Sequence, residues 1–389
     1  MLKLTGKVQD YAWGDTMSIA TLQGRTPSGG PEAEAWFGAH PSAPSGTASG
    51  TLDEVIAADP VSALGTEGTL PFLVKLLAAK RPLSIQAHPS ISQAQEGFAR
   101  EDAAGIPRGA AHRNYKDRNH KPEVLIALTP FRAMAGFRPL EETVALLDEL
   151  AVPQLENARV LLADGSVDVE KRLRTVLSGW LALDDPAPVV GTVLERAAEL
   201  DSDVARNLVF IGEEFPGDVG VLAALLLHHV ELAPGEALFL PAGNMHAYLS
   251  GFGVEVMASS DNVLRGGLTA KHIDVAELEG IVIFEPIDDP VLEPDMTVEN
   301  GVACARFPIP VPDFAVTRCT AESGSLELGR GPAIVLAVAG KVRLGEETLG
   351  PGEAAFLAAG DGEMTAEFTA GGDIFVVRPG QRWASMHSE

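Results

Sequence analysis

Apolar runs such as Thr69 to Leu77 and Val124 to Ala127 stand between clusters of Gly and Pro. That is the pattern of short strands separated by turns, and it predicts strands and turns over most of 1–139. From Leu140 the period changes. Leu140, Val144, Leu147 and Leu150 recur at helical spacing, and similar signals run through 169–183 and 189–211, punctuated by Pro139, Pro153, Pro186 and Pro216. This predicts a helical insertion of roughly 80 residues. Strand signals return near Leu225.

With them comes an internal repeat. The twelve-residue stretch Leu232 to Gly243 matches Leu349 to Gly360 without gaps, each with a Pro-Gly-Glu turn, a strand and an Ala-Gly turn. Such a unit builds double-sheet β-barrels, so the expected fold is mainly β with a helical insertion: two cupin/jelly-roll type β-barrels plus an α-helical domain. The expected division is a barrel formed by 1–139 with 226–285, an inserted helical domain at 140–225, and a C-terminal barrel at 286–389. The acidic, Pro-containing stretch Glu285 to Pro294 reads as the linker between the barrels. Extending the repeat places Glu363 opposite His246, so the second copy lacks the imidazole and is expected to be structural.

Length and charge narrow the function. A chain of 389 residues suits two or three domains. Its formal charge of −25 excludes a general affinity for nucleic acid, so an anionic substrate needs a local basic patch. Two cysteines, Cys304 and Cys319, fit a reducing cytoplasm and lie far from every candidate ligand. The start of the chain lacks the apolar core of a signal peptide, and the apolar run Val219 to Leu227 is too short to span a bilayer. A soluble cytoplasmic protein, monomeric and without membrane partners, is expected.

Candidate chemistry centres on Ser84-Ile85-Gln86-Ala87-His88-Pro89. In an extended strand, Gln86 and His88 project from one face. A carboxylate from His120-Lys121-Pro122-Glu123 and an imidazole from Asn244-Met245-His246-Ala247-Tyr248 complete a set of two nitrogens and two oxygens suited to zinc or a similar divalent metal. The stretch Glu255 to Lys271 adds acids, cations and glycines just after a strand. Each element alone has an ordinary structural reading, and the case rests on their co-occurrence. Glu34 and His40, beside Trp36, are expected to be hydrogen-bonded packing residues.

These runs, together with Tyr11 to Asp15, Glu34 to Pro41, Pro71 to Pro89, Asn114 to Pro139 and Phe239 to Asp274, resemble the signature segments of the type I phosphomannose isomerase family. The resemblance implies a zinc enzyme interconverting mannose 6-phosphate and fructose 6-phosphate, with Gln86, His88, Glu123 and His246 as metal ligands. It also implies that Arg265, Lys121, Glu255 and Lys271 fall on active-site positions. The family commonly has an acidic residue and a lysine after the His-Pro, where this chain has Ser90 and Ile91, and a proline where Ala270 stands.

An aldose–ketose isomerase must stabilise an enediol-like intermediate and shuttle one proton between neighbouring carbons. Arg265 and Lys121 are the candidate stabilisers of developing negative charge. Glu255 is the first candidate for the shuttle, with His120, Asp261 and Lys121 as rivals. Lys271 and Ser84, supported by Arg265, are the candidates for holding phosphate. Two other functions compete: an iron-dependent cupin oxygenase, which favours two His and one carboxylate, and a non-catalytic sugar-binding barrel.

Overall fold

A computed structural model of the chain describes residues 1–380. The apolar run around Leu73 forms a strand, Phe72–Ala79, buried along its whole length. It lies inside an 11-stranded antiparallel sheet. The path through that sheet runs Val291–Leu292, Ala237–Leu240, Glu123–Ala127, His246–Ala258, Phe72–Ala79, Glu34–Gly38 and Lys7–Gln9. A 9-stranded sheet takes its strands from 295–378 together with Leu2–Leu4, which pairs with Ala354–Leu357. The two copies of the internal repeat therefore supply one strand to each sheet, Ala237–Leu240 and Ala354–Leu357.

Neither sheet closes, which corrects the expectation of two cupin/jelly-roll barrels. The architecture is mixed α/β with open sheets, each path ending at two separate edges. A turn-strand-turn repeat specifies local hairpin geometry, whereas closure requires the first and last strands to meet. Here much of the apolar surface is covered by the other sheet instead. Phe37, Val74 and Val254 from one sheet share a core with Phe356, Phe375 and Val377 from the other.

Helices Leu140–Leu150, Val169–Leu181, Ala187–Ala197 and Asp203–Glu214 stand where the spacing predicts helix, and Glu156–Ala163 and Gly220–Ala224 add two more within the same region. Their inward stripe, including Leu147, Leu173, Val190 and Leu208, is buried in one cluster. Several segments differ from the expectation, and short helices at Ser18–Leu22, Leu52–Ala58 and Pro60–Leu64 stand among the strands of 1–139. Ile91–Ala103 is a helix inside the region read as strands and turns, opened by Ser90, whose backbone N–H donates to Gln93 Oε1 at 2.8 Å. The expected linker contributes an edge strand, because Val291–Leu292 pairs with Ala237–Leu240. Residues 381–389 of the expected C-terminal unit lie outside the described residues. Among the described residues no helix is long and apolar enough to cross a membrane.

Near the entry to the Glu34–Gly38 strand, Arg25 Nη1 donates to Glu32 Oε1 at 2.9 Å and Nη2 donates to Oε2. The Arg25 hydrogen bonds outweigh burial and hold the Glu32 carboxyl at about 2, below its ordinary 4.5. The folded state thus gains stability from this pair above pH 4.5 and loses it as pH falls toward about 2. Glu32→Gln is expected to remove on the order of 1–2 kcal/mol at pH 7, after discounting for the partly exposed arginine. Urea unfolding at pH 7 and pH 3 checks this: the gap between variant and parent narrows at the lower pH.

Candidate metal centre

The strand His246–Ala258 organises the site. Its first residues pair with Phe131–Phe137 and with Gln86, and its later ones pair with Phe72–Ala79 and Glu123–Ala127. A register shift between Tyr248 and Ser250 and the positive φ of 136° at Gly251 bend it between these partnerships. A Cβ at Gly251 would meet the Phe131 backbone at 2.8 Å, so the bend also needs the small residue. One strand thereby delivers both His246 and Glu255 to the centre.

His88, Glu123 and His246 offer ligand atoms that all lie within 4.8 Å of one another, and all three residues are buried. Glu123 Oε1 is 3.5 Å from His88 Nε2, and Oε2 is 3.3 Å from His246 Nε2. The other ring nitrogens are taken. His88 Nδ1 bonds to the Asn262 carbonyl at 2.8 Å and His246 Nδ1 to the Asn244 carbonyl at 3.0 Å. A ring nitrogen facing a carbonyl oxygen must be the one that carries hydrogen, which leaves the Nε2 lone pairs aimed at the carboxylate. Both Nε2 atoms are buried without a hydrogen-bond partner. Burial, then the Lys121 ammonium, lowers His88 to about 4, so its imidazole is neutral near pH 7. Two imidazoles with orphaned Nε2 atoms on either side of a carboxylate fit a divalent cation. Gln86 sits opposite His246 and Arg265 in the strand register.

Around this trio lies a network of buried charge. Lys121 Nζ is 2.8 Å from Glu123 Oε1. Lys75 Nζ is 2.8 Å from Glu255 Oε2 and 3.5 Å from Glu34 Oε1, and it lies 5.1 Å from the centre of the Trp36 ring. Glu34 Oε2 accepts from Trp36 Nε1 at 2.6 Å. Burial alone would lower Lys75; the Glu255, Glu34 and Glu123 carboxylates outweigh it and hold the ammonium charged. Burial raises Glu255 and the neighbouring Lys75 opposes it, while Glu123 and Glu34 add to the rise. For Glu123, burial raises the carboxyl, but the Lys121 ammonium together with His88 and His246 outweighs it, and the carboxyl lies well below the ordinary range. Three carboxylates thus face two ammonium groups, and a divalent cation reverses the sign of that excess.

The remaining candidates spread outward. His120 Nε2 pairs with Asp313 Oδ2 at 2.7 Å, a residue of the loop leading into the strand Ala315–Ala321 of the other sheet. Asp261 lies nearer solvent, 3.7 Å from His40 Nε2, and accepts from Ser42 Oγ at 3.4 Å. His40 stands edge-on to Trp36. Arg265 is half-buried on the strand Leu264–Gly267 and has no acidic partner among the described residues. Lys271 is exposed and Ser84 half-buried.

Sequence reasoning did not single out Lys75 or Asp313. Lys75 carried a signal: it is the one charged residue within Phe72–Ala79, and a charge in a buried strand needs buried partners. Asp313 carried none.

A buried, metal-competent His–His–carboxylate centre flanked by cations is suited to stabilising negative charge that develops on oxygen. The relatives agree. A model of the catalytic domain of type I phosphomannose isomerase matches residues 1–140. The chain is 41% identical over 388 residues to the mannose-6-phosphate isomerase of Escherichia coli (strain K12), covering 94% of this chain and 97% of that protein. It is 33% identical over 393 residues to that of Rattus norvegicus, covering 87% and 89%. The crystal structure of mannose 6-phosphate isomerase from Salmonella typhimurium bound to substrate (f6p) and a zinc atom matches with TM-score 0.89 at 37% identity, covering 98% of this chain and 99% of that one. The chain belongs to the type I phosphomannose isomerase family.

Proposed function

We propose that this chain interconverts mannose 6-phosphate and fructose 6-phosphate at the centre formed by His88, Glu123 and His246. The observation that carries the reading is the pair of orphaned Nε2 atoms on either side of the Glu123 carboxylate, in a chain with this family's sequence. Gln86 is the proposed fourth ligand and zinc the proposed ion, one per chain, as zinc is present in the Salmonella structure. When bound, such an ion supplies positive charge to polarise the sugar's carbonyl and hydroxyl oxygens.

The side chains do the rest. Isomerisation removes the proton on C2 of the open-chain aldose and returns a proton to C1, passing through an enediol-like intermediate. Glu255 is the proposed shuttle. Its Oε2 is held by Lys75, which leaves Oε1 to accept and return the proton, and a raised pKa suits a carboxyl that must hold it for part of the cycle. Lys121 and Arg265 stabilise the developing charge on oxygen, which buried cations do most effectively. His120 and Asp261 orient neighbouring groups through Asp313 and His40. Lys271 and Ser84, with Arg265, take the phosphate.

The units proposed above, 1–139 with 226–285, 140–225 and 286–389, go with this reading, the first carrying the candidate ligands. A cytoplasmic setting is supported by the low cysteine content. Incubating purified protein with mannose 6-phosphate and following fructose 6-phosphate tests the function. Product should accumulate to equilibrium from either sugar. Binding without interconversion would favour the non-catalytic alternative.

A further inference from the structure

We propose that Lys116 is a third cation of the phosphate-binding patch, acting beside Arg265 and Lys271. The proposal rests on the isomerase reading and extends it to a residue outside the candidate set.

The segment 114–117 is laced to the segment that carries the other two cations. Lys116 N and Asp117 N donate to Asn262 Oδ1 at 2.7 and 3.2 Å, and Asn262 Nδ2 returns a hydrogen bond to the Asp117 carbonyl at 3.0 Å. Asp261 N donates to Asp117 Oδ2 at 2.7 Å. Farther along, Asn114 Nδ2 donates to Asp274 Oδ2 at 2.9 Å and the Tyr115 hydroxyl to Glu277 Oε1 at 2.6 Å. Arg265 lies three residues after Asn262, and Lys271 three before Asp274. The frame is rigid as well as close. Tyr115 is 1% exposed and packs on Gly97, where even a Cβ would come within 2.3 Å of its ring.

Within this frame Arg265 and Lys116 both act on Lys271. Burial, then the charges of Arg265 and Lys116, lowers the Lys271 ammonium. None of the three has an acidic partner among the described residues, in a chain with 54 Asp and Glu against 29 Lys and Arg. Within the frame, Asp117 accepts from Asp261 N and Ser260 Oγ, and Asp274 from Asn114 and the Glu277 amide. Like charges held on one frame without ion-pair partners are unfavourable unless an anion joins them, and a phosphate monoester dianion suits such a cluster of cationic donors. The turn after His88 and Pro89 supplies no cation. Ser90 there caps a helix and Ile91 is apolar.

The test compares Lys116→Ala, Lys116→Arg and Arg118→Ala, a neighbouring change of equal charge. Each is assayed for KM, kcat and competitive inhibition by inorganic phosphate. For Lys116→Ala, KM for mannose 6-phosphate and the phosphate inhibition constant should both rise about tenfold, with kcat within about twofold. Lys116→Arg should recover most of both, and Arg118→Ala should change neither. Unchanged KM and phosphate inhibition in Lys116→Ala, or an equal rise in Arg118→Ala, overturns the proposal. Absence of turnover in the parent protein would refute the isomerase reading instead. Calorimetric titration with inorganic phosphate then judges Lys116 separately, the proposal failing if parent and Lys116→Ala bind alike.

Discussion

Glu123→Gln is expected to lower kcat/KM by on the order of 10²–10³-fold, the loss typical when one preorganised electrostatic element of an active site is removed. The carboxylate does three things at once. Its two oxygens face the Nε2 atoms of His88 and His246, and Oε1 also pairs with the Lys121 ammonium. Glutamine keeps the shape but presents one amide nitrogen, which carries no lone pair for a cation and repels Lys121. Metal content should fall with activity. Steady-state kinetics with metal analysis of the same preparation checks this, and activity within tenfold of the parent at full metal content would refute the role given to Glu123.

Lys75→Met should be the most destabilising single change in the site, by roughly 3–5 kcal/mol, because it strands two buried carboxylates. Lys75, Glu34 and Glu255 are all buried, and the ammonium is the nearest counter-charge of both acids. The methionine fills similar volume, so packing is largely spared. Adding Glu255→Gln to Lys75→Met should restore part of the loss, since one fewer carboxylate is left unpaired. Urea unfolding of parent, single and double variants measures it. If the double variant is no more stable than Lys75→Met, the stranded-charge explanation fails.

Local features were legible and closure was not. His88, Glu123 and His246, named as candidate ligands from sequence, come together in the fold, and the helices after Leu140 were readable because their period is internal to each. The internal repeat was also real at the level of strands. It misled at the level of architecture because whether a sheet closes depends on its distant edge strands, here Lys7–Gln9 and Val291–Leu292. The helix Ile91–Ala103 carried a readable start in Ser90 and Gln93, outweighed by the Gly and Pro around it. Lys75 could have been found as a charge in an apolar strand. The His120–Asp313 pair joins residues 193 apart in loops that lead into different sheets, and no local pattern announces it.

The most direct test is a metal titration. Protein stripped with a chelator and dialysed should be inactive, and activity should return linearly with added zinc and level off near one equivalent per chain, with His246→Ala failing to recover. Full turnover by the stripped protein, or recovery by His246→Ala at the same stoichiometry, would contradict a single ion gripped by His88, Glu123 and His246 as the seat of the reaction.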